Sequence, residues 1–87
     1  MDQDIELRRK RLLYRSLYRG NKENDLVLGA FARAEIASFG TRELDEYEQI
    51  LAQGDNDLFD WVAGRAKVPE KLDGPVMRRL IDFKKVR

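Results

Sequence analysis

Glycine and proline fall at regular intervals in this chain of 87 residues, and the apolar residues between them are spaced by three and four. Gly20, Gly40, Gly54, Gly64, Pro69 and the Gly74-Pro75 pair cut the sequence into five pieces, each with helical periodicity. No stretch alternates β-branched and polar residues over the length of a strand. The spacing predicts helices at about 4–18, 22–38, 42–53, 57–63 and 75–84. The first carries Leu12, Leu13, Leu17 and Tyr18 on one stripe and stops at Gly20. The second turns Leu26, Val27, Ala30, Phe31 and Ala34 inward. Gly29 within it costs about 1 kcal/mol relative to Ala, so a close approach by another helix is expected there. The third opens on Thr41 as N-cap, with Glu43 in its first turn, and buries Leu44, Tyr47, Ile50 and Leu51. Asn56 or Asp57 caps the fourth, and Gly64 closes it. Pro75 starts the fifth, which faces Val76, Met77, Leu80 and Ile81 inward. Short connections imply antiparallel neighbours. The prediction is all-α: a compact five-helix bundle in a single small domain over 1–87, with 65–74 as the longest connection and Lys84–Arg87 frayed.

Composition narrows the chemistry. Hydrophobic residues at 43% and charged residues at 38% describe a folded chain with a heavily charged surface, able to build one modest core. There is no cysteine and no histidine. Disulfides, thiolate or imidazole metal sites, cysteine nucleophiles and Ser-His-Asp arrangements are therefore excluded. No resident cofactor or metal is expected, and a binding module is favoured over an enzyme. A mean hydropathy of −0.62 goes with an apolar pattern broken throughout by charge, so no membrane insertion is expected. The acidic opening Met1-Asp2-Gln3-Asp4 lacks the apolar stretch of a secretory leader, which points to a bacterial cytoplasm.

The net charge of +1 hides a strong polarity. Residues 1–22 carry seven basic groups against three acidic, whereas residues 41–60 carry seven acidic against Arg42 alone. Residues 61–87 return to eight basic against three acidic. Such a distribution suits oriented docking on a charged protein more than wrapping a polyanion.

Four constellations stand out. Arg19-Gly20-Asn21-Lys22-Glu23 falls at the first interhelical turn, where a C-terminal Arg, a left-handed Gly and an N-terminal Glu are ordinary capping chemistry. The same residues could instead project a fork donor and a carboxylate together toward a partner. Asp55-Asn56-Asp57 resembles the start of a calcium loop, but Asp60 and Ala66 stand where Gly and Glu are needed, so capping is the better reading. Trp61 reads as core; were it exposed, it could support a weak dimer of an otherwise monomeric chain. Arg8-Arg9-Lys10-Arg11 reads as a solvated flank facing a partner, with a small nucleic-acid-binding helical module as the alternative. A regulatory adaptor and a small helical enzyme steering a carboxylated substrate are further alternatives.

The order of these residues is more specific than any one of them. Arg11-Leu12-Leu13-Tyr14, Ser16, Arg19-Gly20-x-x-Glu23 and Asp25-Leu26 resemble the opening of the FAD assembly factor family, the SdhE-type and succinate dehydrogenase assembly factor 2 proteins. Leu28-Gly29-x-Phe31-Ala32, Asp57-Leu58-Phe59-Asp60-Trp61-Val62 and Pro75 through Ile81 extend the likeness over roughly residues 8–83. Asn21 stands where family members often carry an apolar residue.

The resemblance implies a five-helix bundle that binds the flavoprotein subunit of succinate dehydrogenase or fumarate reductase. It further implies promotion of covalent FAD attachment to a histidine of that subunit, with the flavin carried by the partner. Arg19, Gly20 and Glu23 would be the partner-contacting motif, flanked by Arg15, Tyr18, Asn21 and Lys22. A homologue from mitochondria would work in the matrix.

Overall fold

In the computed structural model, which describes residues 2–86, the chain forms α1 (Asp2–Leu17), α2 (Lys22–Glu35), α3 (Thr41–Leu51), α4 (Asp55–Val62) and α5 (Pro75–Val86). Short 3-10 turns at Ile36–Ser38 and Glu70–Leu72 fill two connections, and no strand occurs among the described residues. The five-helix, all-α expectation is borne out. The boundaries differ for local reasons. α2 ends at Glu35, where the Ser38 hydroxyl donates to the Glu35 carbonyl at 2.7 Å and the backbone tightens to 3-10 geometry. That turn drives Phe39 into the core. Gly40, not Thr41, is the N-cap of α3; its N–H is taken by the Glu43 carboxylate at 2.9 Å. Gly54, not Asn56 or Asp57, caps α4, which therefore starts two residues early. α5 runs on through Lys84 and Lys85 to Val86, two residues past the expected end; Arg87 lies outside the described residues.

The buried faces follow from how α1 and α2 meet. A Cβ built on Gly29 would lie 2.6 Å from Leu17 Cδ2, so the missing side chain is what admits α1, as its cost within a helix suggested. This contact rotates α2 so that Asn24, Leu28, Phe31 and Ala32 are buried. Leu26 and Ala34, expected inward, are exposed. Tyr18 is likewise outside, and the inner stripe of α1 is completed by Ser16. The α3 and α4 faces, including Trp61, are buried as expected, which removes Trp61 as an exposed dimer contact.

Phe31 sits at the centre of the core. Its ring centroid lies 6.1 Å from Phe39, 5.7 Å from Tyr47 and 5.6 Å from Phe83, joining α2, α3 and α5. Tyr47 is fully buried, yet its hydroxyl is satisfied: it donates to Ser16 Oγ at 2.5 Å, and Ser16 donates to the Leu12 carbonyl at 2.7 Å. Burial pushes the Tyr47 phenol up to about 12.

α5 is anchored by α3, whose Glu46 carboxylate accepts the Val76 N–H at 2.6 Å. A Cβ on Gly74 would lie 2.6 Å from that same carboxylate oxygen. Gly74→Ala should therefore displace Glu46 and cost about 1 kcal/mol, the scale of a lost N-terminal cap. Urea unfolding measures this; wild-type stability would mean that Glu46 adds nothing at the α5 terminus.

Candidate functional site

The turn between α1 and α2 is built by hydrogen bonds from three directions. Gly20 takes φ +92°, the left-handed region that ends α1 without a Cβ penalty. Asn21 caps α2, its side-chain oxygen accepting the Asn24 N–H at 3.0 Å. The Arg19 N–H is taken by Asp25 Oδ1 at 2.8 Å. Backbone on both sides of Gly20 is thus tied to the first turn of α2.

The third direction comes from the α3–α4 corner. Arg19 Nε donates to Asp55 Oδ1 at 2.7 Å, Nη1 to the Leu51 carbonyl at 2.7 Å and Nη2 to the Gln53 carbonyl at 2.8 Å. Its side chain is 11% exposed. The guanidinium caps the C-terminus of α3, where the helix dipole favours a cation, and Asp55 lies at the N-terminus of α4, where it favours an anion. Asn24, itself buried, donates through Nδ2 to the carbonyl oxygen of Asp55 at 3.0 Å and to its Oδ1 at 3.1 Å.

These contacts hold the Asp55 carboxyl below its ordinary value of 3.8, the Arg19 hydrogen bond contributing most and Asn24 next. A depressed folded-state pKa stabilises the fold above the ordinary carboxylate range. The stabilisation is lost as pH falls through the folded value. Asp55→Asn should therefore lower stability at pH 7 and bring variant and wild type closer together near pH 3. An equal gap at both pH values would show that the charge of Asp55 is not involved.

The candidate residues are consequently brought together, but with different orientations. Arg15, Tyr18, Gly20, Lys22 and Glu23 are exposed around the turn, and Asn21 is half-buried as a cap. Glu23 makes no hydrogen bond or ion pair among the described residues, whereas Arg19 is turned inward. The expectation that Arg19 and Glu23 project together is corrected: three internal acceptors occupy the guanidinium. Sequence reasoning read Asp55 only as capping, quoted Asp25 only within the resemblance and passed over Asn24, placing none of them against Arg19. An acidic residue after Gly54 was the available signal, but its partner is 36 positions away.

Two exposed features adjoin the turn. Tyr14 and Tyr18 lie one helical turn apart with ring centroids 4.7 Å from each other, and they are 65% and 66% exposed. Leu26, 68% exposed, lines an open groove of about 440 Å³ with Leu17, Val27, Ala30 and Phe83. The basic run on α1 is divided. Arg8 pairs with Asp45 at 2.6 Å and Glu48 at 2.9 Å on α3, and both hydrogen bonds raise its pKa further. Arg9 pairs with Glu6 and donates to the Phe39 carbonyl at 2.8 Å. Only Lys10 and Arg11 of the four are exposed, so the run is no continuous basic face.

Fold and turn define a class: small all-α domains whose most sharply built surface is a rigid interhelical turn flanked by aromatic and charged side chains. Comparison with known proteins narrows the class to one family. Residues 10–84 match the family described as flavinator of succinate dehydrogenase, and the chain belongs to it. It is 43% identical over 75 residues to mitochondrial succinate dehydrogenase assembly factor 2 of Dictyostelium discoideum, covering 86% of this chain and 53% of that protein. Identity to the FAD assembly factor SdhE of Acetobacter pasteurianus is 34% over 86 residues, covering 99% and 79% of the two chains. Succinate dehydrogenase assembly factor 2-B, mitochondrial, of Drosophila melanogaster is 36% identical over 81 residues, with 91% and 52% covered. The chain spans about half the length of these mitochondrial relatives. Among the described residues no helix is long and apolar enough to cross a membrane.

Proposed function

We propose that this chain is an assembly factor that binds the flavoprotein subunit of succinate dehydrogenase, or of fumarate reductase, and promotes covalent attachment of FAD to it. The observation that carries the reading is the turn itself. Gly20 exposes backbone with no atom beyond its chain neighbours within 4 Å of where a Cβ would stand, and the unpaired carboxylate of Glu23 lies three residues on. Bare backbone beside a free acceptor admits close approach by a partner's main chain and its donors. Membership of the flavinator family supplies the partner class.

The factor acts as a chaperone and not as a catalyst of the bond. It carries no cofactor of its own; FAD is the partner's. Docking at the turn restrains the partner's mobile domain while flavin and acceptor histidine hold a near-attack geometry. Tyr14, Tyr18 and Arg15 add apolar area and charge to the docking face, and Lys22 adds charge at the rim. The reading gives a cytoplasmic site of action in a bacterium and the matrix in a mitochondrion.

The test uses purified apo flavoprotein subunit, FAD and this domain. Samples are denatured over time, and the flavin fluorescence that stays with the protein is recorded. Faster covalent attachment with the domain present is expected; equal rates with and without it would overturn the assignment. Within that assay Glu23→Ala should weaken binding while shifting stability by less than about 1 kcal/mol, because Glu23 is exposed and unpaired. A larger loss of stability would make Glu23 a helix-terminus residue and no more.

A further inference from the structure

We propose that Asp55, outside the Arg19–Glu23 turn in sequence, is a positioning residue for partner binding: it holds Arg19 and Asn24 so that the turn keeps the shape the partner reads. The proposal rests on the reading that the turn binds the flavoprotein subunit.

Three observations lead to it. First, the donor edges of Arg19 are occupied internally, by Asp55 Oδ1 and the carbonyls of Leu51 and Gln53, all within 2.8 Å. Three of its five N–H donors are thus used internally and the side chain is only 11% exposed, so it is not presented as a fork to a partner. Arg19 therefore contributes through its own backbone, which immediately precedes Gly20. Second, the same Asp55 oxygen receives Asn24 Nδ2 at 3.1 Å, and Asn24 is 4% exposed. One carboxylate thus fixes a residue on each side of the left-handed glycine. Third, the outer surface of the turn is open: nothing beyond the adjacent residues lies within 4 Å of where a Gly20 Cβ would stand. Fixed inner contacts and a bare outer backbone are what preorganised recognition requires, since a loop already in its bound shape loses less entropy on docking. The depressed pKa of Asp55 agrees with a carboxylate held ionised at neutral pH.

The experiment measures affinity for the immobilised apo flavoprotein subunit, with a thermal melt of every variant and all binding done well below the melts. The proteins are wild type, Asp55→Ala, Asp55→Asn, Arg19→Lys, Glu23→Ala and the Asp55→Ala/Glu23→Ala double variant. Asp55→Ala and Arg19→Lys, though folded, should each bind about tenfold more weakly, the scale of coupling in a shared hydrogen-bond network. Asp55→Asn keeps an acceptor oxygen and should fall between Asp55→Ala and wild type. Glu23→Ala should weaken binding severalfold in the wild-type background and by much less once Asp55 is alanine. A residue that only stabilises the fold would leave the two effects independent.

Wild-type affinity in Asp55→Ala, or fully independent effects in the double variant, would overturn the proposal. So would an Arg19→Lys variant that binds like wild type, because a lysine keeps the charge but cannot span the three acceptors. Should Asp55→Ala melt below the assay temperature, Asp55→Asn paired with Glu23→Ala carries the same comparison. Wild-type protein that fails to bind would overturn the flavoprotein reading and this proposal with it, whereas selective loss or retention among the variants bears on Asp55 alone.

Discussion

Gly20→Arg should leave a folded helical domain that no longer accelerates flavin attachment. The glycine sits at φ +92°, where an L-residue is strained by about 1–2 kcal/mol. In a domain of this size that corresponds to a fall in melting temperature of about 5–15 °C, not to unfolding. No atom beyond the two adjacent residues lies within 4 Å of the new Cβ, so the folded state has room for the side chain. A partner seated on the turn, as proposed, would not. The long cationic side chain should cover the bare backbone and compete for the exposed Glu23 carboxylate three residues on. Covalent flavin should accumulate at the unassisted rate, with circular dichroism still helical. Gly20→Ala separates strain from bulk: it carries the same backbone penalty without the reach, and should retain part of the activity. Full activity in Gly20→Arg would remove the turn from the interface.

The largest effect on the fold is expected at Phe31. Its side chain is fully buried and its ring packs against Phe39, Tyr47 and Phe83 from three other parts of the chain. Phe31→Ala removes one side of all three ring contacts and leaves a cavity that helices tied by Glu46–Val76 and Arg79–Glu35 are poorly placed to close. The expected loss is about 3–5 kcal/mol, or about 15–30 °C in melting temperature for so short a chain. Small domains hold about 5–15 kcal/mol in total, so the variant should sit at the edge of folding at 37 °C. Phe31→Leu, which keeps most of the volume, should lose much less. A Phe31→Ala variant within about 1 kcal/mol of wild type would mean that the core collapses freely around this position.

Gly20 and Phe31 also divide what is legible in the sequence from what packing decides. The existence and order of the helices follow from local chemistry: Gly20 and Gly64 at positive φ, Pro75 at a first position, and apolar residues at three and four. Helix faces are harder, because they depend on which neighbour comes closest. Leu26 and Phe31 both fit an inward pattern, and only the contact between Gly29 and Leu17 decides that Phe31 goes in and Leu26 out. Thr41 is a better capping residue than Gly40 by intrinsic preference, yet Glu43 reaching back to the Gly40 N–H sets the boundary. The turn itself is legible as a motif. The direction of its arginine is not, because nothing local to Arg19 distinguishes a guanidinium facing solvent from one closing a corner between two distant helices.

The origin of those acceptors has a consequence for how the surface comes into being. Leu51, Gln53 and Asp55 lie 32 to 36 residues beyond Arg19, so the turn is not a property of the α1–α2 hairpin alone. A fragment ending after α2 would keep the Asn21 and Asp25 contacts of the turn and lack the acceptors that hold the Arg19 side chain. During folding, the loop-closure cost of bringing residues 51–55 to Arg19 is met only when α3 and α4 dock. The surface proposed for recognition is therefore complete only in a chain whose α3 and α4 have docked on the first two helices.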